Sequence, residues 1–371
     1  MTTIIKDEND PQLYSTASEI LRNGGLVAFP TETVYGLGGD ALSADSSKKI
    51  YAAKGRPSDN PLIVHIADTS DVYKLAEYVP DAAKALMEAF WPGPLTIILK
   101  KKAIVPDETT GGLPTVAIRM PSHPVAAKLI EESGVYIAAP SANISGRPSP
   151  TEASHVIEDM DGRIDMIIDG GAVGIGIEST IVDLSGIPSA HSENTADEAS
   201  TLPVILRPGF ITKAMLEAVV GPVTIDKAII EPDPNLRPKA PGMKYTHYAP
   251  KGELTIVAAS LNDNEKSGPE SDPVRIAKRI NELVLEKTTQ GYKTAVLTTR
   301  DNALLYKSEN VILLGDDRSG RTVAARLYSA LRECDALGAE FIYSESYDDT
   351  DFGGAIMNRL LKAAGHRVIT V

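Results

Sequence analysis

A single cysteine, Cys334, stands in the 371 residues. Its isolation excludes an internal disulfide framework and any multi-cysteine metal site. Apolar neighbours in a predicted helix mark it as core rather than nucleophile. Tryptophan occurs once and phenylalanine five times, so the aromatics that stack on single-stranded RNA are scarce. No apolar run approaches the roughly 20 residues that span a bilayer. The polar, mixed-charge start from Met1 to Asp10 fits neither a signal nor a transit peptide, and a cytoplasmic location is the default expectation. The six histidines are scattered, without His-Glu-x-x-His or another zinc spacing. Gly-x-Ser-x-Gly, the nucleophile elbow of α/β-hydrolases, is missing too. Lysine and arginine are outnumbered 37 to 50 by aspartate and glutamate, for a formal net charge of -13. A chain devoted to nucleic acid carries the opposite balance, because phosphate contacts depend on Lys and Arg. A local basic pocket for a small anion stays open.

What is present is a long, mixed chain. Its length exceeds what one core ordinarily organises, so two domains are expected. Short apolar runs recur at Leu26 to Phe29, Leu62 to Ile66, Leu95 to Leu99, Val116 to Met120, Val135 to Ala139, Met166 to Ile168 and Thr180 to Leu184. Helical patterns over Asp45 to Ala53, Pro80 to Phe90 and Pro124 to Glu132 separate them, which predicts an α/β sheet domain over residues 1–218. A further helix is expected after Asp10 as cap and Pro11 in its first turn, ending at Gly24-Gly25. Ile187 to Leu202, polar and without period, reads as a surface insertion. Six prolines fall between Gly221 and Pro250, a composition read as extended and unable to form a helix, so residues 219–250 are taken as a linker. Residues 251–371 alternate strand and helix more cleanly, with strands at Leu254 to Ala258, Thr294 to Thr298, Val311 to Leu314, Phe341 to Ser344 and Val368 to Val371; they predict a smaller, Rossmann-like parallel sheet.

Three clusters carry candidate chemistry. Lys54-Gly55-Arg56 sits at a predicted helix end, followed by Pro57 and Pro61 and an apolar strand. An Arg fork beside a Lys point charge suits a polyphosphate, though the same cations also merely complement a helix dipole. Ser141-Ala142-Asn143 follows a strand directly, where a sheet end presents hydroxyls, amides and backbone N–H groups to an anion; ordinary turns use the same residues. Thr31 to Gly38 also follows a strand, and its glycines permit close backbone approach without matching a P-loop. Arg119, inside the run Val116 to Met120, needs an acidic partner if buried, and a substrate carboxylate is one candidate.

In this order the clusters resemble the YrdC-type threonylcarbamoyl-adenylate synthases. The resemblance rests on Pro30-Thr31-Glu32-Thr33-Val34-Tyr35-Gly36-Leu37, Lys54-x-Arg56, Trp91-Pro92-Gly93-Pro94-Leu95-Thr96, Arg119-Met120-Pro121 and Ser141-x-Asn143. Glu178-Ser179-Thr180-Ile181 and Leu206-Arg207-Pro208-Gly209 continue it. Pro241 to Pro250 and Phe352 to Arg359 place the chain in the longer branch with a C-terminal extension. The resemblance implies a twisted mixed-sheet catalytic domain with a concave cavity, and a reaction between L-threonine, bicarbonate and ATP. N-carboxy-threonine attacks the α-phosphate, giving threonylcarbamoyl-AMP and pyrophosphate. It assigns catalysis to Lys54, Arg56, Ser141 and Asn143. It assigns ATP contacts to Arg56, Asn60, Thr115, Ser141, Ser149 and Arg207, with Tyr245 and His247 closing over the nucleotide as a lid. Thr33, His65, Arg119, the Ala139 backbone and Ser179 are to line the threonine and carbamate site. Mg²⁺ is expected mainly on the ATP phosphates. The product is expected to pass to a threonylcarbamoyl transferase acting on adenosine 37 of tRNA, with at most weak direct tRNA contact.

Two other readings are weaker. An RNA-binding module conflicts with the acidic balance and scarce aromatics. The carbamoyl-transfer modules of hydrogenase maturation share this fold but carry cysteine-rich zinc segments, which one cysteine cannot supply.

Overall fold

The structure is a computed structural model that describes residues 2–188, 202–230, 238–241, 247–259, 272–316, 320–347 and 352–371. It divides into two compact units. The first comprises residues 1–145, 149–174 and 178–245, and the second residues 146–148, 175–177 and 246–371.

The first unit is built on a mixed sheet of eleven strands among the described residues: β1 (Ile4–Asp7), β2 (Val27–Phe29), β3 (Gly36–Asp40), β4 (Ile63–His65), β5 (Leu95–Lys100), β6 (Thr115–Arg119), β7 (Ile137–Ala139), β8 (Met166–Asp169), β9 (Thr180–Asp183), β10 (Val204–Arg207) and β11 (Thr224–Ile225). Their order is β1-β8-β2-β3-β7-β4-β6-β5-β9-β10-β11. Alternation along the central strands divides the apolar residues between two faces. Val64, Ile97, Ile118 and Val182 join the main core on one face. On the other, Ile63, Ile98, Ala117 and Ile181 form one cluster, while Val27, Phe29, Ile137 and Ala139 form a second beneath helix α1 (Leu13–Arg22) and the helix Pro124–Ser133.

Each apolar run read from the sequence in this unit becomes a strand, but several boundaries and elements differ. Helix α1 starts at Leu13, not after Asp10; Asp10 instead accepts the Gln12 N–H at 2.8 Å and closes a turn ahead of it. Within Thr31 to Gly38, Gly36 onward forms β3, a strand that no apolar run marked. A Cβ on Gly38 would stand 2.7 Å from Ile137 and 2.8 Å from Phe29, so the glycine here serves close packing within a strand. Strand β1, with mostly exposed side chains, gave no apolar signal. The proline-rich stretch does hold one helical turn, Lys227–Ile230, because its prolines cluster after that turn rather than inside it. Most of the expected insertion at 187–202 lies outside the described residues.

The second unit carries a separate sheet, β12 (Glu253–Ala258), β13 (Thr294–Thr299), β14 (Val311–Gly315), β15 (Phe341–Glu345) and β16 (Val368–Thr370), ordered β14-β13-β15-β12-β16. All four pairings are parallel, which gives the Rossmann-like layout expected from its strand and helix alternation. Among the described residues no helix of either unit is long and apolar enough to cross a membrane.

Candidate functional site

Helix α2 (Ala44–Lys54) delivers the first cluster. Ser43 caps its start by accepting the Ser46 N–H, and Gly55 ends it in the left-handed conformation (φ 64°), with the Arg56 N–H reaching back to Tyr51 O at 3.0 Å. That cap explains the spacing Lys-Gly-Arg: the glycine turns the chain so that the two cations diverge.

Lys54 points inward and is only 2% exposed. Its Nζ donates to Ser141 O and Asn143 O, both at 2.5 Å, and lies 3.4 Å from Asn143 Oδ1. Three acceptors match the three protons of an ammonium. Burial, helped by the nearby Arg56 charge, pushes its pKa well below the usual lysine value. Arg56 is half-buried, donating through Nε to Asn60 O and through Nη2 to Pro61 O. Asn60 is buried, and its Oδ1 has no hydrogen-bond partner among the described residues.

The segment after β7 is held from several sides. Ala142 N–H donates to Tyr35 O, Ser145 N–H to Lys54 O, and Ile144 N–H to the buried carboxylate of Asp159. Ser141 also bridges to Gly36, and its Oγ donates to Asn143 Oδ1 at 2.6 Å. Two small polar side chains are thus fixed at a sheet end.

The second cluster is a row across the sheet. His65 is level with Ile137 on one side and Arg119 on the other; Arg119 is level with Thr96, Thr96 with Ile181, and Ile181 with Arg207. Residues level with one another share a face, so His65, Arg119 and Thr96 lie between the two apolar clusters on that face. Arg119 is 4% exposed. Its Nη1 donates to Thr33 Oγ1 at 3.0 Å, its Nε to Gly93 O at 3.4 Å, and its Nη2 stands 2.7 Å from Glu32 Oε1. The acidic partner expected of a buried Arg119 is therefore supplied by the chain itself. Beyond Thr96, Ser179 Oγ bonds Thr96 Oγ1 at 2.7 Å, and Arg207 donates to Ser179 O at 3.0 Å and Ser179 Oγ at 3.1 Å.

His65 is buried edge-on to Phe29, with Nδ1 3.1 Å from Ile63 O and 3.3 Å from Ile137 O. Burial first, then the Arg119 charge, lower its pKa to about 3, so it is a neutral imidazole. An unfolded chain binds an extra proton below its ordinary value of 6.5. This histidine's stabilising contribution is thus complete above 6.5 and lost as pH falls toward 3. In NMR titration the His65 ring should keep its neutral chemical shift down to a pH of about 4; a midpoint near 6.5 would contradict the placement.

The remaining sequence candidates lie around these clusters as follows. Thr115 opens β6, two residues before Ala117, whose partner is Ile63; it therefore lies at the Asn60–Pro61 end of the sheet, away from Arg119. Ser149 is buried, donating to Glu178 Oε1 at 2.6 Å. Arg207, besides Ser179, donates to Pro241 O at 3.3 Å. Ala139 ends β7 opposite Ile63. His247 belongs to the second unit, where its ring lies 5.5 Å from that of Tyr248. Tyr245 lies outside the described residues. Conversely, Glu32, Thr96 and Asp159 contact the site residues but had no role assigned. Thr96 had a visible signal, a lone hydroxyl within Leu95 to Leu99.

A family profile described as "Telomere recombination" matches residues 19–192. A second, described as "Threonylcarbamoyl-AMP synthase, C-terminal domain", matches residues 211–365. A threonylcarbamoyl-AMP synthase of Bacillus subtilis is 51% identical over 363 residues, covering 97% of this chain and 95% of its own. One from Pyrococcus abyssi is 44% identical over 355 residues, covering 96% and 95%. Among solved structures, Pyrococcus abyssi Sua5 complexed with L-threonine superposes with a TM-score of 0.86 at 42% identity, covering 100% of both chains.

Proposed function

This chain belongs to the threonylcarbamoyl-AMP synthase family of nucleotidyltransferases, and from that premise we propose that its first unit joins L-threonine, bicarbonate and ATP into threonylcarbamoyl-AMP. The amino group of threonine attacks the bicarbonate carbon and water leaves, giving N-carboxy-threonine. A carbamate oxygen then forms a bond to the α-phosphorus, the bond from that phosphorus to the bridging oxygen of the β-phosphate breaks, and pyrophosphate departs.

The observation that carries this reading is the state of Arg119. Of a guanidinium's five N–H donors, one goes to Gly93 O, one to Thr33 Oγ1 and one faces Glu32. Two are left without a partner among the described residues, which suits a bidentate α-carboxylate. Thr33, Ser179 and the neutral His65 offer hydroxyl and imidazole groups to the rest of the amino acid. The L-threonine complex of the Pyrococcus abyssi relative supports the same ligand class.

On the phosphate side we assign Arg56, Asn60, Ser141 and Asn143 to the nucleotide, with Asn60 Oδ1 as a waiting acceptor and Arg56 as the cation facing the developing charge. Lys54 acts there through the loop it holds. Thr115, Ser149 and Arg207 remain part of this proposal as nucleotide contacts, as does closure by Tyr245 and His247. The donor set is ammonium, guanidinium and neutral oxygens. No group of three His, Cys, Asp or Glu side chains able to hold a metal occurs among the described residues. Mg²⁺ therefore fits as an ion brought on the ATP phosphates, where it supplies charge neutralisation. A cytoplasmic location and transfer of the product to a tRNA threonylcarbamoyl transferase, with weak tRNA contact at most, complete the reading.

The test is pyrophosphate release from ATP by the full chain. It should require both L-threonine and bicarbonate; equal release with either omitted would overturn the assignment.

A further inference from the structure

We propose that Glu32 is the positioning residue of the amino-acid site, fixing the plane of Arg119 so that its two remaining N–H groups meet the incoming carboxylate. The inference rests on the reading of Arg119 as the carboxylate anchor.

The geometry is specific. Glu32 lies in the turn after β2 and reaches Arg119 with one oxygen only, Oε1 at 2.7 Å from Nη2; its other oxygen accepts the Ser122 N–H at 3.2 Å. That second bond ties the carboxylate to the chain just beyond β6, the strand that carries Arg119. The next residue, Thr33, receives Nη1 at 3.0 Å, and Gly93 O takes Nε at 3.4 Å. The guanidinium thus faces a partner at all three nitrogens, from two separate segments, residues 32–33 and Gly93.

A monodentate counterion differs from a bidentate one here. A carboxylate gripping both Nη atoms would block the fork that a substrate needs. Glu32 instead meets Nη2 alone, as an ion pair outside hydrogen-bond geometry, so N–H groups on both Nη atoms stay open to a ligand. Its side chain is 13% exposed and that of Arg119 is 5% exposed, so the pair is screened little by water. Burial raises the Glu32 carboxyl, but the Arg119 charge and hydrogen bonds outweigh it and hold it below the ordinary value. It therefore stays ionised at neutral pH.

Steady-state kinetics of the full chain test this, with pyrophosphate release as the readout. Glu32→Ala should raise KM for L-threonine about ten-fold, with KM for ATP unchanged. Glu32→Gln, which keeps the shape and one acceptor but no charge, should fall between. Adding Glu32→Ala to Arg119→Lys should cost no further threonine affinity, because both act on one group. Three outcomes would overturn the role: an unchanged threonine KM in Glu32→Ala, a parallel rise in both KM values, or additive losses in the double variant. A fall in threonine KM would also sink it, since Glu32 would then be a competitor for the fork. If Arg119→Lys itself leaves threonine KM unchanged, it is the anchor reading that fails instead.

Discussion

Lys54→Met is expected to lower turnover by about a hundredfold while leaving most of the fold intact. Methionine fills nearly the same volume, so the helix end and the surrounding core need little repacking. What disappears is the ammonium that draws Ser141 O and Asn143 O to 2.5 Å. Two buried carbonyls then lack their donor, at about 1–3 kcal/mol each if no water replaces it. The loop can relieve that cost by moving outward, and Ser141 and Asn143 move with it. A displacement of about 1 Å in groups that orient a reacting phosphate is enough for a hundredfold loss. If Lys54 instead touched phosphate directly, Lys54→Arg would retain much of the activity by supplying another cation. With the lysine buried against the loop, arginine does not fit, and that variant should be as impaired as methionine. Pyrophosphate release and thermal melts of both variants decide between the two roles. Full activity in Lys54→Met would end the argument for a loop pin.

This distinction could not be read from sequence. Lys54-Gly55-Arg56 announces two cations at a helix end, and the structure closes that helix on Gly55 in the left-handed conformation. Which cation turns inward depends on the loop after β7, nearly ninety positions further along the chain. The same limit applies to Arg119. A charged residue within Val116 to Met120 signals a buried charge in want of a partner, and the run correctly becomes β6. That the partner is Glu32 follows only from the packing of the turn after β2 against the end of β6. Local periodicity found the central strands because each alternates against two apolar layers. It missed β3, where glycine is chosen for closeness to Phe29 and Ile137, and β1, which lies on an edge with little to bury. The row from His65 to Arg207 is a property of register, and register across five strands is invisible in any one of them.

Arg119→Ala should abolish threonine-dependent pyrophosphate release and also carry a stability cost that varies with pH in a predictable direction. Removing the guanidinium takes away the two N–H groups proposed for the substrate carboxylate, and charge-assisted pairs of this kind are worth at least a hundredfold in kcat/KM for threonine. It also leaves Glu32 buried without its cation, a change that costs about 3–5 kcal/mol. In the intact protein the arginine holds the Glu32 carboxyl below its ordinary value of 4.5, so the pair's stabilisation is present above that value and is lost as pH falls through the lower, folded one. Without the arginine, burial, the largest influence on the carboxyl, is opposed only by its backbone N–H bonds, and the carboxyl is expected to rise. The sign then reverses: the folded variant binds the proton more tightly than the unfolded chain, and its stability declines as pH rises through the interval above 4.5. Denaturant melts should accordingly find Arg119→Ala closer to the unsubstituted chain at pH 5 than at pH 8. Combining it with Glu32→Gln should recover much of the loss at pH 8, because no charge is left stranded, while activity stays absent. A penalty for Arg119→Ala that is flat with pH, or that Glu32→Gln deepens, would mean that the pair at 2.7 Å is not the interaction that stabilises this corner of the sheet.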